Sequence, residues 1–207
     1  MKNYYYLIGV IAVFVIGFAF LKVSNSDKNY IDSQGNVVKV DISTLPQKYT
    51  SEIYKYSINL PSDFTVEENF IYESTPVKVI PGIKFLPPKS LSEGTNLSSD
   101  TYLSIESYPS SEETCSAQLF LDSSELKGFS DFAGKTFTVA YSLGAGVGNI
   151  YEETVYATFH NNECLGVRYF IHHTVYENYP EGTVRKYDDV ELKKLFDSIR
   201  GSLVLTN

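Results

Sequence analysis

No acidic residue occurs among residues 1–22, and basic residues are scarce everywhere else. Setting aside Lys2 and Lys22, the rest of the 207-residue chain holds 15 Lys and Arg against 25 Asp and Glu, a net of −10. A surface that acidic repels phosphate backbones, and no Lys/Arg stripe offsets it, which argues against nucleic-acid binding. Catalytic signatures are missing too. There is no Gly-x-Ser-x-Gly, no His-Glu-x-x-His and no Cys-x-x-Cys, so the familiar nucleophile-elbow, zinc-protease and dithiol chemistries have no motif here. Neither an internal repeat nor a low-complexity tract interrupts the chain. Its length suits one domain with its own core plus short appendages.

What is present begins with "MKNYYYLIGVIAVFVIGFAFLKV". Tyr4 to Leu21 is an 18-residue run without a charge, bracketed by Lys2 and Lys22. As a helix it would span about 27 Å at ~1.5 Å per residue, close to the hydrocarbon thickness of a bilayer. A cleaved signal peptide and an uncleaved signal anchor both fit, with Ser24-Asn25-Ser26 as the small-residue cleavage site. The length of the run favours the anchor. The expected organisation is a transmembrane helix over 1–22, a polar spacer over 23–50 and an extracytoplasmic domain over 51–207. The chain would cross the inner (cytoplasmic) membrane once and place its C-terminal domain in the periplasm.

Cys115 and Cys164 support that orientation. Two lone cysteines in an exported domain most economically form one structural disulfide. Buried free thiols and a redox pair are the other readings.

Within the domain, alternation predicts mostly strands. Tyr54, Tyr56, Ile58 and Leu60 alternate with polar neighbours until Pro61, and Phe64 with Val66 begins a second short strand. "VKVIPGIKFLPP" reads as a strand interrupted at Pro81-Gly82. "TYLSIESYP" sets Tyr102, Ser104 and Glu106 against Thr101, Leu103 and Ile105. "SAQLFLD" reads as a short helix. Residues 149–175 read as a hairpin turning at Asn161-Asn162. Leu192, Leu195, Phe196, Ile199 and Leu203 share one helical face, with Asp188 or Asp189 as cap. The sum is an α+β domain, an antiparallel sheet with helices packed on it.

Three candidate sites follow. Gly144, Gly146 and Gly148 suggest a phosphate cradle, yet no Lys-Ser/Thr follows and the next segment is a strand carrying Glu152 and Glu153. A bend is the better reading, and no nucleotide or other cofactor is expected. The histidines suggest a metal. His172 and His173 are adjacent in a strand and point to opposite faces, while His160 lies ~30 Å away at ~3.3 Å per residue, so no metal site is expected. The third candidate rests on hairpin register. Matching the apolar faces pairs Phe159 with Leu165, Val155 with Tyr169 and Glu153 with Ile171. Glu152, Tyr156, Arg168 and His172 then share the opposite face as a polar patch with aromatic walls. An ordinary solvated face is the plainer alternative.

"YSINLPSDFTVEE" near the start of the domain and "LKKLFDSIRGSLVL" at its end together resemble the PsbP-like family. That resemblance implies an α/β/α sandwich around an antiparallel sheet, usually non-enzymatic, often exported, and often helping to assemble a membrane complex. The middle, "GTNLSSDTYLSIE" with "CLGVRYFIHHTVYENYPEG", resembles a set of bacterial envelope proteins without known activity. The expected role is therefore a membrane-anchored binding or assembly accessory of the cell envelope, held in the membrane by residues 4–21 and with an envelope protein as partner. A hydrolase using His172 with Glu152, or a small-ligand carrier with a cavity beneath Tyr156, Tyr169 and Phe170, are the alternatives.

Overall fold

The structure is a computed structural model that describes residues 29–31, 37–39, 44–75 and 78–207. The expected membrane segment and most of the spacer fall outside them. No helix among the described residues is long and apolar enough to cross a membrane.

The strands are β1 Asn29–Ile31, β2 Val37–Lys39, β3 Gln47–Ser51, β4 Tyr56–Leu60, β5 Thr65–Thr75, β6 Lys78–Leu86, β7 Tyr102–Tyr108, β8 Glu125–Phe132, β9 Lys135–Gly146, β10 Asn149–His160, β11 Glu163–Thr174 and β12 Val204–Leu205, with helix α1 at Asp189–Gly201. A seven-stranded antiparallel sheet runs in the order β5-β6-β7-β11-β10-β9-β8, and a three-stranded sheet runs β12-β4-β3. β1 and β2 pair as a separate hairpin. Strand β3 and the buried Leu45 come from the stretch read as spacer, so the folded body begins before residue 51.

One α-helix is found among the described residues where several were expected. Residues Ala117–Phe120 form a single 3-10 turn instead of a helix. The layers are therefore helix and small sheet on one face of the large sheet and a loop on the other, not α/β/α. Pro81 does not interrupt its strand either. β6 runs through it, because there it pairs only with β5, and pairing with β7 begins at Gly82. A proline is tolerated where no ladder bond is needed on its second side.

The helix forms where its periodicity predicts. Asp188 caps it by accepting from the Glu191 amide at 3.0 Å, and Leu192, Phe196 and Ile199 are buried against the sheet. Burying each such side chain contributes roughly 1.5–3 kcal/mol. Tyr56, Ile58 and Leu60 of β4 and Phe85, Leu103, Ile105, Val167 and Tyr169 of the large sheet complete this core. A smaller core lies on the other face, where Phe120, Leu121, Val155, Ala157 and Cys164 meet.

The β10–β11 register differs by one residue from the expected one. Asn161 and Asn162 both hold positive φ, 48° and 64°, making a two-residue turn closed by His160 opposite Glu163. Val155 then faces Arg168, Glu153 faces Phe170 and Tyr151 faces His172. Aligning apolar faces required a three-residue loop. The Asn-Asn pair, well suited to a tight turn with both central φ positive, sets the register instead.

Candidate binding face

A one-residue slip moves every side chain to the other face of its strand. Glu152 and Tyr156 consequently lie on the α1 side of the large sheet, and Arg168 and His172 lie on the loop side. The four residues do not form one patch.

On the α1 side, Glu152 accepts from Lys193 at 3.1 Å and lies 3.4 Å from His173, the neighbour of the expected histidine. Lys193 also pairs with Asp189 at 2.8 Å. Burial lowers the Lys193 pKa, but Asp189 and Glu152 outweigh it and the net direction is upward. Tyr156 is buried beneath Arg200, whose guanidinium carbon sits 4.0 Å from the ring centroid. Arg200 itself is fully buried, donates to Tyr169 at 2.7 Å and pairs with Asp197 at 3.0 Å. The space beneath Tyr156 and Tyr169 is filled by this cluster and by Phe196, so the cavity a carrier would need is occupied by side chains.

On the loop side, Arg168 is fully buried and forks onto Glu106, through Nε at 2.7 Å and Nη2 at 2.8 Å. It also donates to Glu153 and to the Phe120 carbonyl. The guanidinium lies 3.6 Å over the Tyr72 ring, and the Tyr72 hydroxyl donates to Glu153 at 3.0 Å. Burial works against the Arg168 charge, but Glu106 and Glu153 outweigh it and hold the group charged beyond its ordinary range. This cluster ties β5, β7, β10, β11 and the covering loop together. The Cys115–Cys164 disulfide forms as expected and pins that loop to β11. Phe120, next to it, lies over Gly166. A Cβ there would come within 2.7 Å of the ring, so only glycine admits this packing.

Beyond the loop the same face carries a row of rings in which Tyr102 is buried and Phe70, Phe170, Tyr151 and His172 are half-buried. Phe70 meets Tyr102 edge-on at 5.3 Å, Tyr102 stacks on Phe170 at 4.8 Å, Phe170 meets Tyr151 at 6.2 Å, and Tyr151 stacks on His172 at 4.3 Å. Lys84 lies 5.2 Å from the Phe70 centroid and 5.4 Å from that of Tyr102, and pairs with Glu67 at 2.7 Å. Tyr102 is pushed far above its usual range, mainly by burial. Ring packed on ring in this way makes a continuous aromatic ridge across the sheet.

His172 stands on β11 beside Tyr151, the last ring of this ridge toward β9. Its Nδ1 lies 2.7 Å from Asp100 and its Nε2 lies 3.0 Å from the Asn149 amide oxygen. Both ring nitrogens thus have oxygen partners, and Glu152 is on the far face. No group of three or more metal-ligating side chains occurs among the described residues. Asn96, which opens an Asn-Leu-Ser glycosylation sequon, is buried. Its amide donates to the Thr174 carbonyl at 2.7 Å and its oxygen accepts from the Tyr187 amide at 2.9 Å. The glycine-rich segment is the end of β9 and a two-residue turn, Val147-Gly148, leading into β10.

No protein-family model matches the chain, and no curated protein matches it. Among solved structures it is similar to cyanobacterial PsbP from Synechocystis sp. PCC 6803, with a TM-score of 0.44 and 16% identity over 83% of this chain and 98% of that one. It is also similar to a protein of Bacteroides thetaiotaomicron VPI-5482, with a TM-score of 0.44 and 15% identity over 78% of this chain. The match spans about half, 48%, of the Bacteroides protein's length. Likeness at this level concerns the course of the backbone and says nothing of ligands or partners.

Proposed function

We propose that the chain is a non-catalytic binding module of the bacterial cell envelope, exported and held at the membrane by residues 4–21, that engages an envelope protein through the ring-bearing face of its large sheet. The observation that carries this reading is the ridge from Phe70 through Tyr102, Phe170 and Tyr151 to His172, whose rings stand on four of the five strands it spans. Beside it on the same face, the Arg168 cluster ties the ring-bearing strands together, which lowers the ordering cost of binding. The disulfide supports an oxidising, extracytoplasmic location. The hydrolase reading drew on His172 with Glu152, and those two side chains occupy opposite faces.

The test is site-specific photocrosslinking of the full chain in native membranes. A photoreactive phenylalanine at Phe70 or Tyr151 is expected to capture a defined polypeptide, whereas the same group at exposed Val190 on α1 captures none. Equal capture from both faces, or none from the ridge, would overturn the proposal.

A further inference from the structure

Strand β9 has a bare edge. β10 pairs with β9 along its whole outer half, up to Asn149 opposite Gly146. β8, on the other side, begins at Glu125 opposite Tyr141. Ser142 to Gly146 therefore carries backbone groups that no described strand pairs. Residues 143–147, Leu-Gly-Ala-Gly-Val, are all exposed, with Leu143 at 61% and Val147 at 103%. Natural sheets protect such edges with lysine, proline or a bulge. None of these occurs here. At the adjoining turn Val147, a β-branched residue, is held at φ 50°, where asparagine or glycine would be comfortable.

The ring ridge ends at this edge. Tyr151 on β10 lies opposite Gly144 on β9, and the row of aromatic side chains stops because Gly144 has none. A Cβ at Gly144 would lie 3.7 Å from that of Tyr151 and 3.9 Å from its Cδ2, ordinary contacts with the edge of the ring. Glycine beside an aromatic across a strand pair is a gap that a ring from the next strand can cover. Gly146 leaves a second gap on the same face.

We propose that the β9 edge takes an extended segment of another polypeptide as an added strand, with an aromatic side chain of that segment seated over Gly144 against Tyr151. Main-chain bonds to Ser142–Gly146 supply affinity, and the glycine gap supplies selectivity. The charges argue for the occupant. The chain's net charge of −8 repels a second copy and an anionic membrane, while the uncharged edge admits a neutral or basic segment. This inference rests on reading the chain as a binding module, and it names how the partner is held.

The test is hydrogen exchange of the full chain in detergent micelles. The probes are a lysine-flanked heptapeptide of alternating Thr and Val with Phe at its centre, and the same peptide with Gly there. The Phe-centred probe is expected to slow exchange across residues 142–146 about tenfold, and the Gly-centred probe to leave it unchanged. Gly144→Phe, which fills the gap from within, is expected to abolish the Phe probe's effect while leaving the thermal midpoint in place. No slowing, or equal slowing by both probes, overturns the proposal. Slowing without a probe that vanishes on dilution assigns the edge to a second copy, and slowing by lipid vesicles alone assigns it to the membrane; either overturns it. Capture at Phe70 without protection of 142–146 removes strand addition and leaves the binding face. Protection without capture does the reverse.

Discussion

Arg168 and Arg200 are both fully buried, one on each side of the large sheet, and they are held in opposite ways. Arg200 pairs with Asp197 one helical turn away and lies over Phe132 and Tyr156. It fastens α1 to the sheet through a local ion pair and aromatic contact. Arg168 draws its partners from across the fold, with Glu106 62 positions away and Glu153 on the neighbouring strand. Two carboxylates surround it, and Glu153 keeps 15% of its side chain exposed. The first cluster is a clasp whose ion pair lies within one helix and whose other contacts, to Tyr169, Phe132 and Tyr156, reach the sheet. The second is a keystone for the strands that carry the ring ridge, so the face proposed to bind is also the face most dependent on a single charge.

That contrast can be broken by substitution. Arg168→Met strands two carboxylates, Glu106 fully buried and Glu153 nearly so, and is expected to cost about 4–5 kcal/mol, whereas Arg200→Met strands one and costs about 3 kcal/mol. Urea unfolding of the two variants checks the order, and equal losses would remove the distinction. Adding Glu106→Gln to Arg168→Met should recover part of the loss, because it removes an orphaned charge.

Reduction of Cys115–Cys164 ranks next after Arg168→Met. The chain-entropy cost for a separation of 49 residues is about 4 kcal/mol, less any strain relieved. Its local signature is sharper than its size. Hydrogen exchange should accelerate in the 109–124 loop and around Arg168, with α1 and Arg200 unmoved at low denaturant. Uniform acceleration across both faces would show that the clusters are not independent.

The smallest effect is a slope with pH. Burial raises Tyr72 above its ordinary value although Arg168 pulls it down, and burial raises Tyr169 against the opposing pull of Arg200. Tyr49, outside both clusters, is pushed up to about 12 by burial and by Glu68. In the unfolded chain all three ionise near pH ~10. Raised folded values mean that the folded state keeps protons the unfolded state has lost, so this stability is complete below about pH 10 and falls as pH rises toward the folded values. Tyr72→Phe and Tyr169→Phe should each flatten the fall by up to about one proton in urea titrations above that pH. An unchanged slope in either would place that hydroxyl outside the coupling.

Much of the fold was legible in the residues. The α1 stripe carries its own cap and period, the faces of β7 follow simple alternation, and two lone cysteines allow one pairing. The candidate site was not legible in the same way. Arg168, Glu106 and Glu153 occupy positions of ordinary polar alternation, and nothing local marks a charge as buried. The Asn161-Asn162 turn did contain the register, but the apolar match between strands pointed one residue away from it.

Elements thus follow from the sequence by itself, because helix and strand periods and caps act over a few residues. So does the choice of a bend over a phosphate cradle at 144–148, since the strand after it and its acids are local facts. Only the tertiary structure decided which histidine meets Glu152, where the ring ridge runs and why it stops at Gly144. Those depend on the face to which each side chain turns, and one residue of register between distant strands is enough to reverse it.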